Sequence, residues 1–122
     1  MYSIKEAAEK SGLTAHTLRY YTAKGLLPTV QRDQNNNRVF TEDDLAFIHF
    51  VKCLKNAGMP LKTIEYYMNL VVEGDQTVAE RLELLAATRE LVLEQQQKIA
   101  EELETIDWKM KNYKRILTMK GE

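Results

Sequence analysis

Apolar positions along the chain change period once, near Thr77. After it, Val78, Leu82, Leu85, Arg89, Val92, Gln96, Ile99, Leu103, Ile106, Met110, Tyr113 and Leu117 follow at alternating steps of four and three, ten of the twelve apolar. That is a heptad seam sustained over more than five heptads. A helix of about 40 residues is roughly 60 Å long, too long for the preceding domain to cover, so its seam is expected to meet another chain. The alternative is packing into a larger intramolecular bundle. Arg89 and Gln96, polar on the seam, are read as fixing its register at some cost in stability.

Before Thr77 the apolar runs are short and punctuated. Ser3-Ile4-Lys5-Glu6 has capping-box spacing, and Ile4, Ala7 and Ala8 give the helix that follows a narrow apolar stripe. Ser11-Gly12-Leu13 stops it. Thr14 is a suitable N-cap for a second helix that Gly25 terminates. Leu18 and Tyr21 share the face that suits a core, whereas His16, Thr17, Arg19 and Tyr20 put a cation and hydrogen-bonding groups on the other. Two short helices around a glycine-containing turn form a helix-turn-helix, whose second helix enters the major groove. An αα-hairpin that merely packs is the alternative.

Beyond Leu26-Leu27-Pro28, the segments Thr29–Arg32 and Arg38–Phe40 read as two short strands joined by the turn-forming run Asp33-Gln34-Asn35-Asn36-Asn37. This hairpin is a wing, and Arg32 and Arg38 flank a polar tip suited to lying along phosphates; a solvated hairpin with incidental arginines is the competing reading. Thr41-Glu42-Asp43-Asp44 caps a third helix, Asp43 to about Asn56, with three carboxylates at its positive end. It carries two apolar stripes, Leu45-Ile48-Val51-Leu54 and Ala46-Phe50-Cys53-Ala57, and is expected to bury both against neighbours. Gly58 ends it, Pro60 opens a fourth helix over roughly Leu61–Glu73, and Gly74-Asp75 breaks the chain again.

Composition changes this picture in three places. A net charge of −1 hides an asymmetry, because residues 1–62 hold nine Lys/Arg against six Asp/Glu and residues 63–122 hold eight against twelve. The basic half is therefore the candidate for a nucleic-acid surface. Within the long helix, residues 76–107 carry three basic and eight acidic groups while residues 108–122 carry five and one. A parallel homodimer sets like against like, so an antiparallel coiled coil is expected. The single cysteine, Cys53, excludes an intrachain disulfide and a multi-cysteine cage; His49 and Cys53 at i and i+4 offer two metal ligands, too few for a structural site. No metal and no cofactor is expected.

No segment is long and apolar enough for a membrane span and the N-terminus lacks a signal-peptide pattern, so a cytoplasmic protein with no membrane partner is expected. No metalloprotease helix motif or glycine-rich phosphate loop occurs, and the only nucleophile with a nearby base is Cys53 with His49; an enzyme is not expected. The fold class is mainly α: a winged helix-turn-helix DNA-binding domain at 1–75, then a long antiparallel coiled-coil dimerisation helix at 76–122. Two other readings stay open, an architectural DNA-bending protein without an effector and a coiled-coil interaction module that does not touch nucleic acid.

The ordered run Tyr2-Ser3-Ile4-Lys5-Glu6-Ala7-Ala8, Gly12-Leu13-Thr14, Thr17-Leu18-Arg19-Tyr20-Tyr21, Gly25-Leu26-Leu27-Pro28, Arg38-Val39-Phe40 and Asp43-Asp44-Leu45 resembles the MerR family of bacterial transcription regulators through Ile64. The resemblance implies an antiparallel homodimer on a pseudo-palindromic promoter operator in double-stranded DNA. Such dimers bend and untwist the DNA so that RNA polymerase, a further implied partner, engages both promoter elements. By position it implies base-edge and backbone contacts from Arg19 and Tyr20 with Thr17 and His16 nearby, flanking phosphate contacts from Arg38, Asn36 and Asn37, and one more from Lys62. Thr22, where the family commonly has an acid, and Phe40, where tyrosine is frequent, depart from the pattern.

The resemblance also bears on the signal. Metal-sensing members carry several cysteines near the end of the coil and drug-sensing members a large C-terminal domain; the sequence shows neither feature, so a metal effector is not expected. The context Phe50-Val51-Lys52-Cys53-Leu54-Lys55 is similar to the aldehyde- and thiol-stress-responsive branch, which implies Cys53 as sensor. Lys52, Lys55 and His49 would favour the thiolate. Cysteine is equally suited to a small apolar filler on the second stripe.

Overall fold

In the computed structural model, which describes residues 1–121, the elements run β1 (Tyr2–Ser3), α1 (Ile4–Ser11), α2 (Ala15–Ala23), β2 (Gln31–Arg32), β3 (Arg38–Phe40), α3 (Glu42–Ala57), α4 (Leu61–Glu73), a 3-10 turn (Asp75–Thr77) and α5 (Val78–Met119). Contacts divide the chain into two compact units, Met1–Thr88 and the remainder from Arg89.

In the first unit the caps set the helix starts. The Glu6 amide donates to Ser3 Oγ at 3.1 Å while the Ser3 amide donates to Glu6 Oε1 at 2.9 Å, the capping box expected from their spacing. Thr14 caps α2 by accepting from the Thr17 amide at 3.0 Å. Thr41 and Asp44 form a second capping box on α3, and here the carboxylate does more than favour the helix dipole. Asp44 is buried; it accepts from the Thr41 amide at 3.0 Å and from the Thr29 hydroxyl at 2.5 Å, tying the entry to the wing onto α3. That bond, with the Val30 amide on the Leu27 carbonyl, keeps Thr29 and Val30 out of the expected strand, which starts only at Gln31.

The sheet has three strands rather than the two of a simple hairpin, in the order β1-β3-β2, all antiparallel. Tyr2 pairs with Phe40 and Ser3 with Val39 on one side of β3, Gln31 with Val39 and Arg32 with Arg38 on the other. A two-residue strand has no periodicity to read, and its partner lies far along the chain. Pairing to β1 fixes the base of the wing to the start of α1.

Beneath the sheet and α2 lies one core. Ala7 of α1, Leu18 and Tyr21 of α2, Leu26, Phe40, Ile48 and Val51 of α3, and Ile64 and Met68 of α4 are all buried in it. The first stripe of α3 is buried at Ile48, Val51 and Leu54 and half-buried at Leu45. The second is covered only in part, against expectation. Ala57 is buried and Phe50 packs on Tyr67 with ring centroids 5.7 Å apart, but Ala46 and Cys53 are exposed because α1, β3 and α4 cover only part of the helix circumference.

Gly74, at φ +109°, allows the break between α4 and α5, where the Thr77 hydroxyl and the Arg81 guanidinium both donate to its carbonyl. The first turns of α5 belong to this unit, since Leu84 and Leu85 pack against its core and Thr88 is buried. From Arg89 onward no described residue is buried.

Candidate nucleic-acid interface

The exposed face of α2 is set by which of its residues the core takes. With Leu18 and Tyr21 buried, His16, Arg19 and Tyr20 are exposed on the remaining face and Thr17 is half-buried, sharing its hydroxyl with Thr14 at 2.9 Å. Lys24 Nζ lies 5.8 Å from the centroid of the Tyr20 ring, which adds a second cation at the end of the same helix.

Arg19 also lines a cleft of about 330 Å³ between α2, the start of the chain and the wing, together with Arg32, Asp33, Asn36, Asn37 and Arg38. Three guanidiniums therefore share one opening. Burial holds the Arg38 guanidinium below its ordinary pKa, and the charges of Arg32 and Arg19 lower it further. An anion entering the cleft would relieve that repulsion.

The wing tip is ordered by its own polar groups. Asp33 Oδ1 accepts from the amides of Asn35 and Asn37, both at 2.9 Å. Asn36 is the one non-glycine residue with positive φ among those described, at 64°. Arg32 Nη1 donates to the Asn36 carbonyl at 2.7 Å, so part of its donor set is spent inside the loop while Arg38 has no such bond to the tip. Cross-strand pairing nevertheless keeps the two arginines side by side.

Of the nine residues expected to face DNA, Arg19, Arg32, Asn36, Asn37 and Arg38 come together in the cleft, and His16, Thr17 and Tyr20 continue from it along α2. Lys62 stands apart, exposed in the first turn of α4 in a shallow opening with Glu65, Tyr66 and Asn69. Sequence reasoning missed the walls supplied by Met1 and Tyr2 and the contribution of Asp33; the first depends on β1 pairing, the second was legible as an Asx-type turn signal.

Cys53 is a free, exposed cysteine on α3, away from the cleft. The cations expected beside it are engaged elsewhere, Lys52 Nζ donating to the Ser11 carbonyl at 3.0 Å and Lys55 Nζ lying 5.7 Å from the Tyr21 ring centroid. Among the described residues no group of three or more His, Cys, Asp or Glu is placed to hold a metal.

The seam residues of α5 are open to solvent. Ile99, Leu103 and Ile106 are 63%, 57% and 56% exposed, and Val78, Leu82, Arg89, Gln96, Met110, Tyr113 and Leu117 are exposed too, with Leu85 and Val92 half-buried.

Comparison with known proteins gives three concordant results. Residues 2–70 match the model of the MerR HTH family regulatory proteins. An uncharacterised HTH-type transcriptional regulator of Haemophilus influenzae is 40% identical over 93% of this chain and 84% of its own length; the HTH-type regulator AdhR of Bacillus subtilis is 41% identical over 75% of this chain and 66% of its own. Among solved structures, HiNmlR, a MerR family regulator lacking the sensor domain and bound to promoter DNA, superposes with a TM-score of 0.84 at 39% identity, covering 93% of this chain and 90% of that one.

Proposed function

The chain belongs to the MerR family of helix-turn-helix transcriptional regulators, and from that premise we propose that it grips a promoter operator through the arginine cleft and the exposed face of α2. It is a regulator, not an enzyme. The observation that carries the reading is the convergence of Arg19, Arg32 and Arg38 on one cleft between the second helix of the helix-turn-helix and the wing. In this reading Arg19, Tyr20, Thr17 and His16 lie in the major groove while Arg38, Asn36 and Asn37 hold the flanking backbone. Lys62 adds a phosphate contact where the first turn of α4, opened by Pro60 without a side-chain cap, leaves amides for an anion.

Two such heads are needed for a pseudo-palindromic site. The open seam of α5 and the opposite charge of its two stretches support an antiparallel homodimer, with the acidic stretch of each chain beside the basic end of the other. The dimer bends and untwists the promoter, and RNA polymerase is the partner that reads the result.

Titration of a duplex carrying the promoter of the protein's own operon tests the reading. Affinity is expected to fall steeply between about 50 and 200 mM salt, and Arg19→Ala to weaken operator binding by roughly 5- to 150-fold. Full affinity in Arg19→Ala overturns the assignment of α2, and salt-independent or absent binding returns the chain to a coiled-coil interaction module. A finer reading concerns the signal: the exposure of Cys53 favours an accessible thiol over a packed filler, and we assign it the response to electrophiles such as aldehydes. Cys53→Ala is expected to abolish that response in cells while leaving operator occupancy in place; an unchanged response removes the assignment to Cys53, and a wild-type protein that gives no response at all leaves an architectural protein without effector.

A further inference from the structure

We propose that Asp33 is the positioning residue of the wing tip, holding the loop in the shape that meets DNA and thereby setting how well the protein separates its operator from unrelated duplex. The proposal rests on the wing contacting DNA, as above. One carboxylate oxygen, Asp33 Oδ1, accepts from both the Asn35 and the Asn37 amides at 2.9 Å. The backbone closes the same loop twice, Asn36 amide to Asp33 carbonyl at 3.0 Å and Asp33 amide to Asn37 carbonyl at 2.8 Å. Asn36, at φ 64°, takes the left-handed position that follows a type I turn in a short hairpin, and Arg32 Nη1 clamps its carbonyl at 2.7 Å.

Residues 31–37 are all exposed, so no packing against the core holds this loop. Its shape depends on these bonds, and Asp33 makes two of them through its side chain. A loop without them must be ordered when DNA arrives, and that ordering weakens binding. The charge of Asp33 points to the same role. A carboxylate among three guanidiniums in a phosphate-facing cleft opposes anion binding, so its presence there is compensated by the geometry it imposes. Operator binding, which needs wing and α2 seated together, depends on that geometry; binding to unrelated duplex, dominated by charge, depends on it less.

Asparagine keeps an oxygen at the Oδ1 position and removes the charge, whereas alanine removes both. Asp33→Ala is expected to weaken operator binding about tenfold and binding to an unrelated duplex of equal length by less than about threefold. Asp33→Asn is expected to bind the operator at least as tightly as the wild type. Both variants should melt with the wild type, and Asp33→Ala alone should become sensitive to proteolytic nicking between Gln34 and Asn37. Wild-type operator affinity in Asp33→Ala, equal losses on the two duplexes, or an equal loss in Asp33→Asn each overturns the proposal. Arg38→Ala serves as the control. If it too leaves operator binding intact, the wing does not contact DNA and the underlying reading fails; if it weakens binding while Asp33→Ala does not, only the positioning role falls.

Discussion

The head and the tail of this chain use apolar residues of the same kinds to opposite ends. In Met1–Thr88, Phe40, Leu18, Leu26, Ile48, Ile64, Met68 and Val51 are each under 2% exposed, so the head closes a core of its own. From Arg89 on, Ile99, Leu103, Ile106, Met110, Tyr113 and Leu117 are each about half exposed or more. What separates the two is not hydrophobicity but chain topology. Turns at Gly12, Gly25, Gly58 and Gly74 fold the head back on itself, whereas α5 runs from Val78 to Met119 without a break and offers its seam nothing of its own. In the dimer proposed above the head is a unimolecular structure and the tail a bimolecular one, so their responses to mutation are expected to differ in dependence on protein concentration.

The largest effect belongs to the head core. Phe40 is fully buried and closes β3 against α3, so Phe40→Ala is expected to cost about 3–5 kcal/mol through lost burial and the cavity left behind. Chemical denaturation followed by circular dichroism should give the same loss at dilute and concentrated protein. A concentration-dependent loss would mean that the head core, too, relies on the partner. The seam comes next. Leu103→Glu places two uncompensated carboxylates in the interface of a dimer, and its dissociation constant is expected to rise at least about a hundredfold. Sedimentation should then report monomers with the head still folded, and operator affinity should fall with dimer formation. A Leu103→Glu variant that stays dimeric breaks the division between the two regions.

How much of each region the sequence disclosed follows from the range of the interactions. Ser3 with Glu6, Thr14 with Thr17, and the heptad seam are local or periodic, and each was legible as spacing. The same holds for the guanidinium cleft in its parts: Arg19, Arg32 and Arg38 were marked individually, Arg32 and Arg38 by their place on either side of one turn. Their convergence was not legible, because it depends on β1 pairing with a strand far along the chain, β3. The Thr29–Asp44 bond was hidden for the same reason, with Asp44 read as one of three carboxylates at a helix start when it is the buried one that anchors the wing. The second stripe of α3 failed in another way. Periodicity assigns a residue to a helix face but not the neighbour that covers it, and at Ala46 and Cys53 the head supplies none.

The smallest effect distinguishes the regions by pH on one side and salt on the other. The Glu6 carboxyl is held below its ordinary pKa, chiefly by the Ser3 amide that donates to it and then by the Ser3 hydroxyl, the chain's N-terminal charge and Lys10 adding smaller pulls. A folded pKa below the unfolded one contributes stability that is present above the unfolded value and is lost as pH falls through the folded value. Acid therefore loosens the start of α1 just below the usual carboxylate range, and Glu6→Gln, which keeps the acceptor but cannot titrate, should flatten that part of the pH–stability curve. In the antiparallel dimer proposed above, added salt screens the attraction between the acidic stretch of α5 and the basic end of the partner. That loss should appear as a dimer dissociation constant rising with salt, identical in Glu6→Gln and the wild type. If the Gln variant also changed the salt dependence of dissociation, the cap of α1 and the seam of α5 would be one cooperative structure, and the separation of head from tail would not hold.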